Sequence, residues 1–599
     1  MRSTRSRIVP SARFALGALV ATGLLTAAAG VPTAAAPPPT LPLEAVRPGM
    51  VGTMSTVLRG TQRETIEVEL LGVLDDGIGP GVDMILCRLR GELGTWTGVA
   101  AGMSGSPVTV DGKLVGALSY SIGGFSKEPL CGITPIETML ALERYPAGLA
   151  PWTAGASARA SGLEPVPLAL AARGLDPTLF DGSDELLRSL GLARPVQVVP
   201  SAAPPAADPA PATPPALEPG DAVAGLLVWG DVQLAATGTV TWRDGERILA
   251  FGHPFMGTGR AEIPFAPATI AWTVPSLLSS FKISNVGRPA GTMTQDRLTA
   301  VAGAIGPVPD GLPVSLSIQR AGGAPVTRSF RVAKDPLVAP PLADLALRIA
   351  LGQELGRERQ EVLRARGTIV LADGRRLPFE ATGPGVMAGD EQAIGGELGR
   401  KLTALMRPPM ALPAVAGVEL AVTSIDPEGV YKLTRALPDR LVARPGETLR
   451  VALDLDGPRG SQRRETLSLV VPESALPGRY LLLAGSPRTL AAELGGVAEA
   501  RRRTARGAAD YLATFETPLA DDAVEIALAL PAEGLVADGR EYPALPGTAQ
   551  LLLRSRTAAA GDAGRVRGMA VARASAPLER AVTAIARVPI EILHLEPTR

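Results

Sequence analysis

The stretch GVAAGMSGSPVTVDGKLVGALSY, Gly98 to Tyr120, decides how the rest of the chain is read. Its first part, Ala101-Gly102-Met103-Ser104-Gly105-Ser106-Pro107, sets a serine among small residues. Glycine tolerates backbone angles that other residues avoid. Such a segment can therefore turn tightly and aim two backbone N–H groups at one point. Its second part predicts a hairpin: Val108-Thr109-Val110, the two-residue turn signal Asp111-Gly112, then Leu114 to Leu118. Ser104 on that turn is a candidate nucleophile, with Ser106 the competing hydroxyl and a plain Gly/Ser turn the alternative reading.

A nucleophilic serine needs a base, and histidine is the usual one near neutral pH. The chain has two histidines, His253 and His594. His594 stands five residues before the last residue, in an Ile-Leu-His-Leu-Glu tail, and reads as incidental. His253 lies in Phe251-Gly252-His253-Pro254-Phe255, where a strand opens into a loop with glycines at 252, 257 and 259. It is the candidate base, and a hydrogen-bonded structural histidine at a turn is the alternative.

Working outward, alternation of period two predicts an all-β chain. Ile66, Val68 and Leu70 alternate with acidic residues, and Met84 to Leu89 is a second strand. A hairpin is expected over Thr239–Trp242, Asp244-Gly245 and Ile248–Phe251. Leu449, Val451, Leu453 and Leu455 alternate after Pro445-Gly446, and Leu467, Leu469 and Val471 before Pro472, in the manner of an immunoglobulin-like β-sandwich. Short helices are expected after Pro135, over Ser183–Leu192, over Leu342–Leu351 and near Leu490–Leu512. These patterns divide the chain into a β unit at 41–150, an Ala/Pro-rich linker at 151–225, a second β unit at 226–385, a sandwich at 386–485 and an α/β region at 486–599. The most Ala/Pro-rich stretch, Pro195 to Pro219, is expected to be extended and exposed.

The first residues read as a secretory signal: Arg2, Arg5, Arg7 and Arg13, an apolar run from Phe14 to Ala29, then small residues, with cleavage expected after Ala29 or Ala36. The alternative is a retained anchor, for which the run is short. Export places the protein in the periplasm or outside the cell, with no stable membrane span after cleavage. The formal net charge is zero, which argues against nucleic acid as the main partner. The apolar fraction of 46% supports sizeable cores in a chain too long for one ordinary domain. Cys87 and Cys131 could form one disulfide after export, or stay buried thiols. Two histidines and two cysteines, widely spaced, give no metal-ligand cluster, and no organic cofactor is implied.

Four stretches resemble the SpoIVB peptidase family (S55), serine peptidases related to the chymotrypsin-like clan. They are Arg47-Pro48-Gly49-Met50-Val51-Gly52, Gly98 to Tyr120, Cys131-Gly132-Ile133-Thr134-Pro135-Ile136-Glu137, and Ile248 to Gly257. The resemblance implies a chymotrypsin-like pair of half-barrels meeting at a cleft, and cleavage of a peptide bond through an acyl-enzyme. It implies Ser104 as nucleophile, His253 as base, and the N–H groups of Gly102 and Ser104 as the oxyanion hole. Here Ser104 precedes His253, the reverse of the family's spore protein, so the two halves would be permuted. A triad is defined by geometry and not by chain order. The acid is expected at Asp83, with Asp296 the alternative, because the family's aspartate position falls in Leu86-Cys87-Arg88-Leu89-Arg90-Gly91. A protein or peptide substrate follows from this reading. Its rivals are a catalytically inactive binding or scaffold protein of the cell envelope on the same fold, and an adhesin built around residues 413–599.

Overall fold

The computed structural model describes residues 38–593, apart from 124–125, 145–162, 174–196, 201–216, 321, 356–361, 385–393, 426–429, 458–459, 495–500, 517–520, 531–533, 538–539, 543–547, 549–563, 567 and 579. The signal segment, the Ser183–Leu192 helix and His594 lie outside the described residues.

The chain is all-β in class. Strands β1 (Val51–Arg59), β2 (Gln62–Gly79) and β3 (Val82–Arg90) form a meander. The two-residue strand β4 (Ala100–Ala101) leads into the Ser104 turn, followed by β5 (Pro107–Val110), β6 (Lys113–Ile122) and β7 (Leu130–Pro135). Hydrogen-bonded pairs run β5-β1-β2-β3-β7-β6 and return to β5, so six antiparallel strands close a ring. The period-two pattern puts Ile66, Val68, Leu70, Ile85, Leu89, Val108, Val115 and Leu118 inside it. Asp111 and Gly112 both take left-handed angles (φ 49° and 76°), as a two-residue hairpin turn demands.

Cys87 and Cys131 sit directly opposite each other on β3 and β7, as buried free thiols with Sγ atoms 2.6 Å apart. Burial, and then the partner sulfur, raise the Cys87 pKa well above the ordinary thiol value.

The segment 151–225 is more than a linker. Strand β8 (Leu163–Pro165) adds to β6, and β9 (Ala169–Arg173) pairs with β12 below. Gln197–Pro200, inside the expected exposed stretch, forms β10 parallel to β9. Strands β11 (Ala222–Gly230), β12 (Gln233–Asp244), β13 (Arg247–Ala250), β14 (Gly259–Val274), β15 (Ser280–Val286), β16 (Gly291–Arg297) and β17 (Ala300–Ile305) follow. The pairs β12-β13-β17-β16-β14-β11, returning to β12, close a second antiparallel ring of six. Each expected half-barrel is therefore a complete barrel.

From β11 the same sheet runs on through β19 (Val326–Val332), β18 (Leu312–Gln319), β22 (Val415–Ile425), β20 (Val362–Leu371) and β21 (Arg376–Pro384). Two helices, Ala339–Leu355 and Ile394–Met406, join its core.

The sandwich is larger than the 386–485 window. One sheet holds β23 (Tyr431–Pro438), β25 (Thr448–Asp456), β26 (Gln462–Val470) and β33 (Val582–Thr583). The other holds β24 (Val442–Ala443), β27 (Gly478–Gly485), β28 (Ala523–Leu530), β32 (Met569–Pro577) and β34 (Ala586–Ile592). Both share one core, from Leu449 and Leu453 to Ile526 and Ile590, so four of the nine described strands of the sandwich come from residues beyond 485. Strand β22 leaves the window at its other end, pairing with β18 and β20. Short strands β29 (Gly534–Ala537), β30 (Arg540–Tyr542) and β31 (Gly564–Val566) form a separate small sheet. The helical stretch expected near 490–512 includes the helices Pro487–Leu494 and Ala508–Glu516. Among the described residues no helix is long and apolar enough to cross a membrane.

Candidate active site

The two barrels meet along a polar seam, and the Ser104 turn forms one side of it. Gly102 and Gly105 hold left-handed angles (φ 96° and 93°), which let the chain reverse between β4 and β5. Gly105 is also a contact requirement. A Cβ there would lie 2.1 Å from the Thr239 carbonyl oxygen and 2.4 Å from the Phe251 nitrogen, both in the second barrel. The Ser104 carbonyl accepts a bond from the Thr239 N–H (2.8 Å), and the Gly105 N–H donates to Leu118 (2.8 Å).

Strand β12 supplies the facing side. Thr237, Thr239 and Thr241 alternate along it, are fully buried, and share one face. Thr239 Oγ1 donates to the Gly102 carbonyl (3.1 Å), Thr241 Oγ1 to the Gly105 carbonyl (2.7 Å), and Thr237 Oγ1 bonds Ser284 Oγ (2.7 Å). Buried hydroxyls must be bonded, and these are bonded to the turn itself and to β15.

His253 reaches the same seam from the loop after β13. Phe251 takes a left-handed angle (φ 67°) that only surrounding packing can hold in a residue of its size. Gly252 packs against Ser119 of β6, and its carbonyl accepts a bond from Thr134 Oγ1 on β7 (2.6 Å). His253 comes directly after these anchors and is buried. Its Nδ1 lies 2.7 Å from the Pro254 carbonyl oxygen. A carbonyl can only accept, so Nδ1 carries the proton and Nε2 is left with its lone pair. Burial pushes the His253 pKa down to about 4, and the Pro254 bond opposes this less strongly. The ring is therefore neutral at pH 7, in the tautomer a general base requires.

Among the described residues, neither Ser104 Oγ nor His253 Nε2 has a hydrogen-bond partner, though both are buried. Polar atoms buried without a protein partner are costly, at about 1–3 kcal/mol each. They do not bond each other, and Ser104 is fully enclosed. A substrate carbonyl reaches Ser104 only if the seam opens.

Neither expected acid touches the ring nitrogen. Asp83 accepts the N–H of Asp76 (2.9 Å) in the exposed β2–β3 hairpin. Asp296 is buried, and its carboxylate collects the N–H groups of Phe255 (2.7 Å), Met256 (2.6 Å), Gly257 (2.7 Å) and Thr258 (3.4 Å). Burial raises its pKa, and those four donors hold it down. Asp296 thus fixes the loop that begins with Pro254, and the orienting acceptor behind the imidazole is the Pro254 carbonyl. The alternating Thr237-Gly238-Thr239-Val240-Thr241 is visible in the sequence, but nothing in it says that the threonine face is buried.

A cleft of about 460 Å³ lies elsewhere on the large sheet, lined by Trp229, Phe330, Arg331, Val418 and Glu419 among others. Ser104 and His253 take no part in it. Among the described residues no cluster of three or more His, Cys, Asp or Glu side chains could hold a metal ion.

Two closed antiparallel barrels with a buried serine and a tautomer-fixed histidine at their seam define a double-barrel protein with a candidate hydrolytic pair. No family model, no curated protein and no solved structure matches the chain.

Proposed function

We propose that the chain is an exported serine endopeptidase of the SpoIVB (S55) type, cleaving peptide bonds through an acyl-enzyme on Ser104. The observation that supports it best is the pair of unsatisfied atoms, Ser104 Oγ and His253 Nε2, buried where two six-stranded barrels meet. Once the seam admits a peptide, Ser104 Oγ attacks the scissile carbonyl and His253 Nε2 takes its proton. The same nitrogen returns the proton to the leaving amine, and water then releases the acyl group. The N–H groups of Gly102 and Ser104 are the candidate oxyanion donors, each worth about 10²–10³-fold where such donors have been removed.

The Pro254 carbonyl supplies the orienting role of the triad acid but no full negative charge. An imidazolium formed in the reaction is stabilised less than beside a carboxylate. Loss of that carboxylate lowers turnover by about 10⁴-fold in the well-studied triad, so slow turnover follows. Export to the periplasm or beyond rests on the layout of residues 1–36.

A second reading has its own support. An enclosed Ser104 with no bond to His253 suits an inactive scaffold of the envelope that keeps the fold and binds a peptide partner. A fluorophosphonate probe separates the two. Folded mature protein is expected to be labelled slowly at one serine, with labelling abolished by Ser104→Ala and reduced at least 100-fold by His253→Ala. A folded protein that stays unlabelled through prolonged incubation leaves the scaffold reading.

A further inference from the structure

Lys282 on β15 is fully buried beside the candidate site, and the mechanism above makes no use of it. Its Nζ donates to Thr56 Oγ1 on β1 (2.8 Å). Thr56 Oγ1 lies 3.0 Å from Ser106 Oγ, and Ser106 Oγ donates to the Met103 carbonyl (2.6 Å), which also accepts the Ser106 N–H (2.9 Å). Ser106 Oγ is the donor to Thr56 Oγ1, so Thr56 Oγ1 accepts from both Lys282 Nζ and Ser106 Oγ. Thr56 thereby links Lys282 to Ser106, and Ser106 to the Met103 carbonyl. The stem of Lys282 covers the other end of the turn, since a Cβ on Gly102 would lie 3.1 Å from Lys282 Cδ and 3.3 Å from its Cβ.

The Met103–Ser104 peptide is planar, so its carbonyl and its N–H point opposite ways. Tying the Met103 carbonyl to Ser106 therefore also fixes the direction of the Ser104 N–H, one of the two candidate oxyanion donors. We infer that Lys282 is a positioning residue of the oxyanion turn, acting through Thr56 and Ser106 on the Met103–Ser104 peptide while its stem backs Gly102. This rests on the proposed peptidase reading and deepens it.

Two further observations fit a chosen lysine. Six of the 59 basic residues are lysines, so arginine is the chain's default cation. Arginine cannot shed its charge, whereas a buried lysine can. Among the described residues no carboxylate offsets the charge of Lys282, and burial pushes its pKa down to about 7. The chain of bonds needs only one N–H from Nζ, which the neutral amine also has.

The test is the rate of Ser104 phosphonylation at saturating probe, alongside probe affinity and the thermal midpoint. Lys282→Met keeps the stem and removes the donor. Thr56→Val breaks the chain in the middle, and Thr56→Ser restores it. Lys282→Met and Thr56→Val are each expected to slow the saturated rate about tenfold or more, with probe affinity within about threefold and the fold retained. Thr56→Ser is expected within about threefold of the unchanged protein, and the double variant no slower than the slower single. If Lys282→Met does not fold, the Thr56 pair carries the test alone. Wild-type rates in folded Lys282→Met, or a Thr56→Ser variant as slow as Thr56→Val, overturn the inference and leave the peptidase reading standing. A wild-type protein that is never labelled removes both.

Discussion

At the residue scale, His253 ties the chemistry of the site to the stability of the fold. Its pKa falls from the ordinary 6.5 to about 4 on burial. Between those values the unfolded chain binds a proton that the folded chain does not, so stability falls as the pH drops through this window. The shift corresponds to roughly 3 kcal/mol lost between pH 6.5 and pH 4. His253→Asn offers an N–H to the Pro254 carbonyl but has no proton to take up. Chemical denaturation at several pH values is expected to give a stability that falls more on going from pH 6.5 to pH 4 in the unchanged protein than in this variant. Equal slopes would mean that the ring is solvated in solution. The same protonation sets the acid limb of Ser104 labelling, expected below pH 6.5 and as low as pH 4 if the ring stays dry during reaction.

At the element scale, the strands were legible and their partners were not. Alternation in Glu67 to Leu70, in Leu449 to Leu455 and across Asp111-Gly112 reads straight off the chain, because period two and turn chemistry are local. The return of β6 to β5, or of β11 to β12, is set by non-local pairing that no window of ten residues contains. The site was legible to the same degree. Ser104 and His253 announce themselves by residue type and neighbouring glycines. Lys282 and the Pro254 carbonyl do not, one lying in an ordinary strand pattern and the other being backbone. Asp296 was nameable as a carboxylate, but its four backbone partners lie about 40 residues away in sequence.

Strands β3 and β7 carry an expectation of the same kind. Their register puts Cys87 opposite Cys131, in a loop closed over 44 residues. A buried pair of thiols oxidises slowly when folded, because the thiolate is the reacting form and burial raises the Cys87 pKa. Refolding under a glutathione redox buffer is expected to close the bridge, and the same oxidant added to the folded, reduced protein is expected to leave both thiols free for hours. Mass differing by two hydrogens reads the outcome. The loop-closure estimate for the bridged form is about 4 kcal/mol of added stability. Rapid oxidation of the folded protein would mean that the β3–β7 ladder opens readily.

At the scale of the whole molecule, the chain does not finish one body before starting the next. After β27 it leaves the sandwich to form the helix Ala508–Glu516, whose Tyr511, Leu512 and Phe515 join the core that runs on from the second barrel along the large sheet, near β21 and the helix Ile394–Met406. It then returns for β28, β32, β33 and β34. Composition windows see only the order along the chain, which is why a boundary near 485 looked natural. The physical boundary is the core shared by Leu449, Leu453, Ile526 and Ile590. A fragment of residues 427–599 is therefore expected to melt cooperatively by circular dichroism, while 386–485 stays unfolded for want of the core residues and strands beyond 485. The longer fragment would expose Tyr511, Leu512 and Phe515, so it is expected to self-associate until these three are made polar. A cooperative melt from 386–485 alone would mean that β28, β32 and β34 only decorate a sandwich complete without them.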